Sequence, residues 1–548
     1  MNKKSFYVLT SVIVCLGIAL SSCAFMDTLK IQEVSFEGLT VSAPDCTYGG
    51  EIKSVQAVDA NTVTFTLCQP DAAFVTKIAS PIFAVQDQDV LNSTKGDSNL
   101  LSEVTVGTGS YRLESWEKTS QIRLIPSTSY WGTPGLPEAL EFQWNTDPAK
   151  RYSYTTYVTV DGIDIPPAAL ISSIRGNSTL NSLQHPLANL YYIGINNTIA
   201  PMDNVDVRRA LALALDRSAI VQQSFPLGSE LAQQMVPASI HPGHSDYQSW
   251  YPANPLEARS QLTAANFDFS KVLTIAVTNS PMGYLENPRD IVNLVKTQLE
   301  QIGMKVAIKP MSLDELTQSI KNGQEMLYIY WFQADYLDAS AFFEGPFIHE
   351  ASYLGNPYPE IQAEVLNTMN SSDTKVRQQV FDQLNTMIKD QVPLIPLGYA
   401  ANISVFRTSV NNVAVNAYYE NFEDLTGIDP VFQYIGVQEP VSLWPADEDS
   451  YQTFRITRLL YDTLAVPGFG GVTIKPLLAE SWESSADLTQ WTFHLRYNVR
   501  FSNNASFDAN DVVASFAAIW DASNVNHKGR TGEFAYYQRL FGNLLNSK

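Results

Sequence analysis

The chain has 548 residues, more than one hydrophobic core normally organises, so we expect two or more domains. The composition is that of a globular protein, with 45% hydrophobic and 17% charged residues. A formal net charge of −21 excludes nucleic acid as an expected partner, because phosphates would be repelled, and it disfavours adsorption to anionic lipid through a basic surface.

The N-terminus has the pattern of a targeting segment. Lys3 and Lys4 give a positive start, and the apolar run 6–20 that follows is short for a membrane-spanning helix. Leu-Ser-Ser-Cys at 20–23 resembles the cleavage box of bacterial lipoproteins. We therefore expect a lipoprotein signal peptide over 1–22 and a lipid on Cys23. An ordinary secretory peptide or a membrane anchor is the alternative.

Two cysteines remain once Cys15 leaves with the signal peptide and Cys23 carries lipid. Cys46 and Cys68 flank a predicted hairpin with strands at 51–58 and 62–67. An extracytoplasmic compartment permits a disulfide between them. Two free buried thiols are the alternative, since the sequence does not show the geometry.

Three polar motifs in the first half of the chain suggest sites but have simpler interpretations. Gly107-Thr108-Gly109 lacks the third glycine of a dinucleotide fingerprint, so it predicts a tight turn rather than a nucleotide site. Four of the charged residues of 206–217 predict a solvated and paired helix face; they are Arg208, Arg209, Asp216 and Arg217. His241 and His244 with Asp246 have metal-ligand types, but Pro-Gly forms a turn and no fourth ligand is evident. We expect no metal.

Residues 272–332 predict a β-α-β-α-β unit. Apolar runs at 272–278, 304–309 and 326–332 predict strands, which should be parallel. A first helix is predicted to begin with Asn287 as its N-cap and to end at Gly303, and Ser312 with Glu315 forms a capping box for a second.

The third strand of this unit ends in two aromatic residues and one carboxylate. In a parallel sheet, ligands lie beyond the carboxyl ends of the strands. A carboxylate beside aromatic rings suits an ammonium group. The alternative is that the rings are core and the carboxylate caps a turn. The predicted substrate-binding residues here are Trp331, Phe332, Gln333, Asp335 and Tyr336.

Several motifs together resemble the solute-binding proteins of ABC importers, the group that includes oligopeptide-, dipeptide- and nickel-binding proteins. The motifs are V-T-F-T-L at 63–67, G-T-G-S-Y-R-L-E-S-W at 107–116, Y-W-G at 130–132, D-V-R-R-A-L-A-L-A-L-D-R at 206–217 and W-F-Q-A-D-Y at 331–336. The resemblance implies a two-lobed α/β fold of the periplasmic-binding-protein type II, with a hinge and an interlobe cleft. It also implies that Asp335 holds a peptide's terminal ammonium. The family usually has two residues between the Trp and the Asp, whereas this chain has three, so either Trp331 or Phe332 occupies the aromatic position.

The order of the motifs departs from that family. Residues 413–417 resemble the family's end, yet 431–548 then resemble its beginning, with motifs at 441–445, 459–464, 478–482, 491–496 and 507–513. Trp444 lies in that opening and is also predicted to bind substrate. The order indicates a circular permutation within the first lobe, with the old termini joined near 418–431; two partial copies are the alternative. The expected domains are a signal peptide at 1–22, lobe I at 23–189 and 398–548, and lobe II at 190–397.

The resemblance implies a non-enzymatic substrate-binding lipoprotein of an ABC importer, anchored outside the cytoplasm at the cell surface or in the periplasm. It would deliver a peptide-like solute to a membrane permease, as a monomer and without a cofactor. Strand 326–332 has no arginine for a peptide carboxylate, which weakens the free-peptide interpretation unless another lobe supplies that cation. The alternatives are an oligosaccharide-binding importer component, a solute sensor, or an extracellular glycoside hydrolase with two carboxylates in an aromatic cleft.

Overall fold

The structure is a computed structural model that describes residues 36–157, 160–245 and 250–547. The predicted signal peptide at 1–22, the predicted lipidation site Cys23 and the metal candidate Asp246 lie outside the described residues. Within the described ranges, the structure contains no helix with the length and apolar character needed to cross a membrane.

The β-strands are numbered in chain order. They are β1 Thr40–Ser42, β2 Ile52–Asp59, β3 Thr62–Leu67, β4 Tyr111–Glu117, β5 Gln121–Pro126, β6 Ala139–Trp144, β7 Gly162–Asp164, β8 Leu180–Gln184, β9 Asn189–Ile195, β10 Glu230–Leu231, β11 Val272–Thr278, β12 Lys305–Met311, β13 Leu327–Gln333, β14 Leu394–Tyr399, β15 Ile403–Arg407, β16 Val431–Gly436, β17 Ala465–Pro467, β18 Ile474–Pro476, β19 Ala479–Ser484 and β20 Gln490–Leu495.

The α-helices connect these strands or pack on their faces. They are Phe74–Ile78, Gln88–Thr94, Ser98–Glu103, Pro148–Tyr157, Ile171–Arg175, Val205–Ala214, Arg217–Ser224, Pro255–Ala264, Arg289–Gln301, Leu313–Lys321, Ala341–Glu344, Pro359–Asn367, Thr374–Gln391, Tyr451–Leu460, Ala509–Trp520 and Ala535–Phe541. A π-helical turn, Gly345–His349, directly continues helix Ala341–Glu344.

The described strands form three larger sheets. Sheet A has the order β1-β2-β3-β20-β19, sheet B the order β10-β14-β9-β13-β11-β12, and sheet C the order β4-β5-β6-β16-β7-β15-β8. All strands of sheet B lie within 189–399, which we call the middle segment. Sheets A and C take strands from both sides of it, the flanking segments 39–188 and 400–547: β3 pairs antiparallel with β20, and β6 pairs parallel with β16. Two distant parts of the sequence therefore complete the same sheets.

The predicted β-α-β-α-β unit is present in sheet B. Strands β12 and β13 both pair parallel with β11, as the alternation of strands and helices predicts. The Ser312–Glu315 capping box is confirmed. The predicted N-cap is wrong by one residue, because Pro288 occupies that position and the side chain of Asn287 instead donates to Oδ1 of Asp290 (2.9 Å).

The prediction of a solvated charged face on the helices of 206–217 is wrong for two arginines. Arg208 and Arg217 are buried, with 5% and 3% of their surface exposed. Arg208 donates to the carbonyl oxygen of Gln391 (2.6 Å), and Arg217 donates to that of Pro396 (2.8 Å). A guanidinium can be buried at such sites because main-chain carbonyls accept its hydrogen bonds. Both arginines thus link their helices to β14 or to the residues just before it.

The middle segment is joined to the flanking segments by two connections that run side by side. The side-chain amide of Asn189 donates to the carbonyl of Ala400 (2.9 Å), and the Ala400 amide donates back to Oδ1 of Asn189 (2.8 Å). The amide of His185 also donates to the carbonyl of Asn402 (2.9 Å). Both crossings are therefore held together at one place.

Cys46 and Cys68 are joined by a disulfide in the structure. It lies beside the hairpin of β2 and β3, whose observed bounds match the predicted strands within one residue.

Gly107 and Gly109 approach the main chain of 459–460 so closely that an added Cβ would lie within 2.4 Å of a carbonyl oxygen. Close packing of the main chain is thus the role of glycine in this motif.

Candidate functional site

A cavity of about 350 Å³ lies at the carboxyl end of β13, between the middle segment and the flanking segments. The middle segment contributes the end of β13 and the turn around helix Ala341–Glu344, whereas the flanking segments contribute two helices and their ends. The lining residues are Tyr330, Trp331, Phe332, Gln333, Asp335, Tyr336, Ala341, Glu344, Gly345, His349, Glu350, Asp449, Tyr451, Tyr536 and Arg539.

Asp335 is paired with an arginine from the flanking segment. Nε of Arg539 lies 3.1 Å from Oδ2 of Asp335, and Nη2 lies 3.4 Å from Oδ1. Tyr536, one helical turn before Arg539, donates its hydroxyl to the main-chain carbonyl of Asp335 (2.8 Å). Burial acts to lower the pKa of Arg539, but the charge of Asp335 outweighs it and raises that pKa. This arginine supplies a cation that strand 326–332 lacks.

The aromatic residues predicted for the site form one wall of the cavity. Trp331 stacks on Tyr191, with ring centroids 5.8 Å apart and planes inclined by 17°. Phe332 meets Phe342 edge to face at 5.6 Å. Both Trp331 and Phe332 line the cavity.

The two remaining predicted residues of this strand end also line the cavity. Oε1 of Gln333 accepts a hydrogen bond from the hydroxyl of Tyr284 (3.3 Å). Tyr336 is buried and donates its hydroxyl to Oε2 of Glu344 (2.6 Å). Their side chains are thus fixed by neighbours within the middle segment.

Trp444, predicted from its motif to bind substrate, is not among the residues that line this cavity. Its side chain is buried, with 2% exposed, and it packs edge to face on Phe534 at 6.2 Å. The next turn explains this burial, because the carboxylate of Asp447 accepts main-chain N–H groups of Arg530 and Phe534 and holds that loop over the indole. Tyr451, seven residues further on, lines the cavity instead.

A second ion pair joins the middle and flanking segments. Nζ of Lys77 lies 3.8 Å from Oε1 of Glu344, and it also lies 3.0 Å from Asp71 and 3.4 Å from Glu51. All four side chains are largely buried. Burial raises the pKa of Glu51 and that of Glu344, against the opposing effect of Lys77. One lysine thus serves three carboxylates at the boundary between the segments.

Two further acids, Glu350 and Asp449, line the cavity although no sequence pattern indicated them. Burial raises the pKa of Glu350 to about 7, and Asp335 adds to this shift. Asp449 is exposed and approaches from the flanking segment. Neither acid belongs to a motif: Glu350 follows the end of β13 by 17 residues, and Asp449 follows it by 116. For the cavity residues of the flanking segment, the one local signal in the sequence was the three-residue spacing of Tyr536 and Arg539, which puts both on one helix face.

One of the two histidine candidates for a metal site, His244, has protein partners. Nδ1 of His244 lies 2.9 Å from the carbonyl oxygen of Val236, and its Nε2 lies 3.3 Å from the side-chain amide of Gln234. Among the described residues, no group of three or more His, Cys, Asp and Glu side chains is placed to hold a metal ion.

This chain is similar to a known family of proteins. The family model "Bacterial extracellular solute-binding proteins, family 5 Middle" matches residues 26–352 and 473–533, more than half of the chain. The chain belongs to this family of bacterial extracellular solute-binding proteins. The family predicted from the motifs is therefore confirmed.

Individual relatives agree with this assignment. The dipeptide-binding protein of Escherichia coli K12 is 23% identical over 372 residues, which cover 67% of this chain and 69% of the relative. The structure of HbpA2 from Haemophilus parasuis superposes with a TM-score of 0.61 at 23% identity, over 69% of this chain and 75% of the other. A dipeptide-binding protein from Pseudoalteromonas sp. SM9913, in complex with Met-Leu, has a TM-score of 0.57 at 21% identity, with the same coverages. The predicted α/β fold of the periplasmic-binding-protein type is confirmed.

Proposed function

We propose that this solute-binding protein is the substrate-binding component of an ABC importer and captures a short peptide or peptide-like solute. The observation that carries the proposal is the cavity at the end of β13, which has Asp335 on one side and Arg539 on the other. The relatives named for dipeptide binding favour the same ligand class.

The two charged groups suit the two ends of a free peptide. Asp335 binds the terminal ammonium and Arg539 binds the terminal carboxylate, each through charge-assisted hydrogen bonds. Without ligand, the two residues bind each other, so an incoming peptide replaces one ion pair with two. The cavity volume of about 350 Å³ is near the lower end of the range for ligand pockets, which favours a short solute.

The chain closes around its ligand as two lobes. Lobe I comprises 23–189 and 398–548, lobe II comprises 190–397, and the paired crossings at Asn189 and Ala400 form the hinge. Ligand contacts to both lobes exist only in the closed form, so ligand binding shifts the population towards it. A permease that recognises the closed form then receives only loaded protein.

Lobe I is a circular permutation of the family's usual order, with the old termini joined near 418–431. The pairings of β3 with β20 and of β6 with β16 within one chain support this. Surface junctions of this kind are often tolerated. Sedimentation of residues 24–548 should show a folded monomer; folding only as a dimer would favour two partial copies instead.

The protein acts outside the cytoplasm as a membrane-anchored lipoprotein, through Cys23. It requires no catalysis, because capture, retention and delivery are binding steps. Its partners are the solute, the permease subunits and the membrane that holds the lipid.

Native mass spectrometry of residues 24–548, expressed without lipid, tests the ligand class first. A series of short peptides retained by the protein, and calorimetric binding of dipeptides that N-acetylation abolishes, would support the proposal. A co-purified sugar, or binding only after sugars are added, would overturn the peptide ligand while leaving a two-lobed binding protein. Turnover of a glycoside or peptide panel would overturn the binding role itself.

A further inference from the structure

We infer that the cavity selects peptide-like solutes with a basic side chain, whose cationic group lies between Glu350 and Asp449. The inference rests on the proposed function of the same site and adds the charge class of the solute.

The cavity contains more acid than its own cations neutralise. Four of the lining residues are carboxylates: Asp335, Glu344, Glu350 and Asp449. Arg539 pairs with Asp335, and Lys77 reaches Glu344 while also serving Asp71 and Glu51. Among the described residues, no lysine or arginine nitrogen lies within 4 Å of the carboxylate of Glu350 or Asp449. A zwitterionic peptide brings no net charge, so the surplus of negative charge remains when one binds.

Glu350 is the acid for which this surplus matters most. Its Oε2 is buried and has no hydrogen-bond partner among the described residues. A buried carboxylate without a partner is costly, so the group either keeps a proton or takes a cation from the ligand. Since Glu350 lines the cavity, a solute bound there is the available source of that cation.

Asp449 faces the same cavity from the other side. It belongs to the flanking segment, whereas Glu350 belongs to the middle segment. A cation between them would contact both segments, just as the peptide termini contact Asp335 and Arg539. The basic side chain therefore adds to the stability of the closed form. Asp449 is exposed and hydrated, so we expect it to contribute less than Glu350.

The groups around Glu350 define how its charge responds to pH. Asp335 disfavours its ionised form and Arg539 favours it. The phenol groups of Tyr192, Tyr328, Tyr330 and Tyr353 also face it, and His349 precedes it in the chain. None of these phenols ionises near neutral pH, because burial raises each pKa above its usual value. Burial raises the pKa of Glu350 itself to about 7, which lies between pH 6 and pH 8.

The test compares two dipeptides that differ in charge and hardly in shape. Ala-Arg and Ala-citrulline are titrated into residues 24–548 by calorimetry at pH 8. We expect Ala-Arg to bind at least about tenfold tighter, since hydrogen bonds to charged groups are the strong ones. We also expect its affinity to rise between pH 6 and pH 8, as Glu350 loses its proton, whereas the affinity of Ala-citrulline should change little.

Single variants test whether Glu350 and Asp449 cause the preference for Ala-Arg over Ala-citrulline. Glu350→Gln should reduce the preference for Ala-Arg to about twofold and remove its pH dependence, and Asp449→Asn should give a smaller reduction. Glu480→Gln, at an exposed acid on β19 away from the cavity, is the matched control and should retain the full preference. The affinity of each variant for Ala-citrulline reports whether the site is still formed.

Each outcome separates this inference from the proposed function. Equal binding of the two dipeptides by the unaltered protein would overturn the inference and leave a peptide-binding protein. A preference for Ala-Arg that survives in Glu350→Gln would also overturn it. If neither dipeptide nor any other free peptide binds, both the proposed function and the inference are overturned.

Discussion

Arg539 and Asp335 are 204 residues apart in the sequence, and their side chains form an ion pair across the cavity at the end of β13. The side chain of Asp335 is 25% exposed and that of Arg539 is 37% exposed, so a solute can reach both side chains. The pair joins the flanking segment to the middle segment at the place where the peptide termini are proposed to bind. A ligand must therefore compete with a contact that the protein already makes.

Asp335→Asn should weaken binding of dipeptides with a free ammonium by roughly tenfold or more, because a charge-assisted hydrogen bond is lost. Calorimetry with the unaltered protein and the variant measures the change. Asp203→Asn, at an exposed acid of the middle segment, is the control and should bind normally. Unchanged affinity in Asp335→Asn would contradict an anchoring role for Asp335.

Arg539→Gln should weaken binding of a dipeptide with a free carboxylate by roughly tenfold, since the guanidinium no longer pairs with it. A dipeptide amide lacks that carboxylate, so its affinity should stay the same or rise as Asp335 loses its competitor. The two titrations are compared in the same variant. Equal losses for both ligands would show that Arg539 acts on the structure of the site rather than on the carboxylate.

In Asp462→Asn, the free energy of unfolding should fall less steeply as pH rises than it does in the unaltered protein. Burial raises the pKa of Asp462 to about 7, above its value near 3.9 in an unfolded chain. The folded protein then holds more protons than the unfolded chain between about pH 4 and pH 7, so the free energy of unfolding falls as pH rises through that range. The slope from this one group is at most roughly 1.4 kcal/mol per pH unit.

Denaturant unfolding of the unaltered protein and Asp462→Asn at pH 5 and pH 8 measures this effect. The asparagine carbonyl can still accept the hydrogen bond that Trp131 donates to Asp462 (2.9 Å), so the comparison chiefly removes the charge. Asp203→Asn should keep the slope of the unaltered protein. The same slope in Asp462→Asn would show that this carboxyl does not titrate with folding.

Loss of the disulfide should lower stability. Cys46 and Cys68 are 22 residues apart, and a cross-link of that span stabilises by roughly 3 kcal/mol through the unfolded chain. The double variant Cys46→Ser, Cys68→Ser should therefore unfold at lower denaturant concentration. A reducing agent should lower the midpoint of the unaltered protein and leave the double variant unchanged. Alkylation of both cysteines in the native, unreduced protein would show that the bond is absent.

Cys23→Ser should release the protein from the membrane fraction, since the lipid is the only anchor proposed. Cys15→Ser, in the predicted signal peptide, should leave the protein in that fraction. Fractionation after a high-salt wash, with immunodetection, measures both variants. Continued membrane association of Cys23→Ser would refute lipidation at this residue.

Local patterns in the sequence were enough to predict the strands and the helix that form the middle-segment side of the site. Apolar runs and their spacing predicted β11 and β13 within one residue, and Ser312 with Glu315 predicted the start of a helix, because these signals involve neighbours along the chain. The end of β13 then located Asp335 and its aromatic neighbours. The motifs carried the resemblance to the family.

The other side of the site was decided by the tertiary structure. Arg539 and Asp449 share a cavity with Asp335 only because sheets A and C combine strands from both ends of the chain and bring their helices to sheet B. The same long-range packing buries Trp444 under the loop held by Asp447. Capping and periodicity depend on residues a few positions apart, whereas these contacts join residues about a hundred or more positions apart. No local pattern encodes which distant side chains will share a cavity, so their charges combine only in the folded chain.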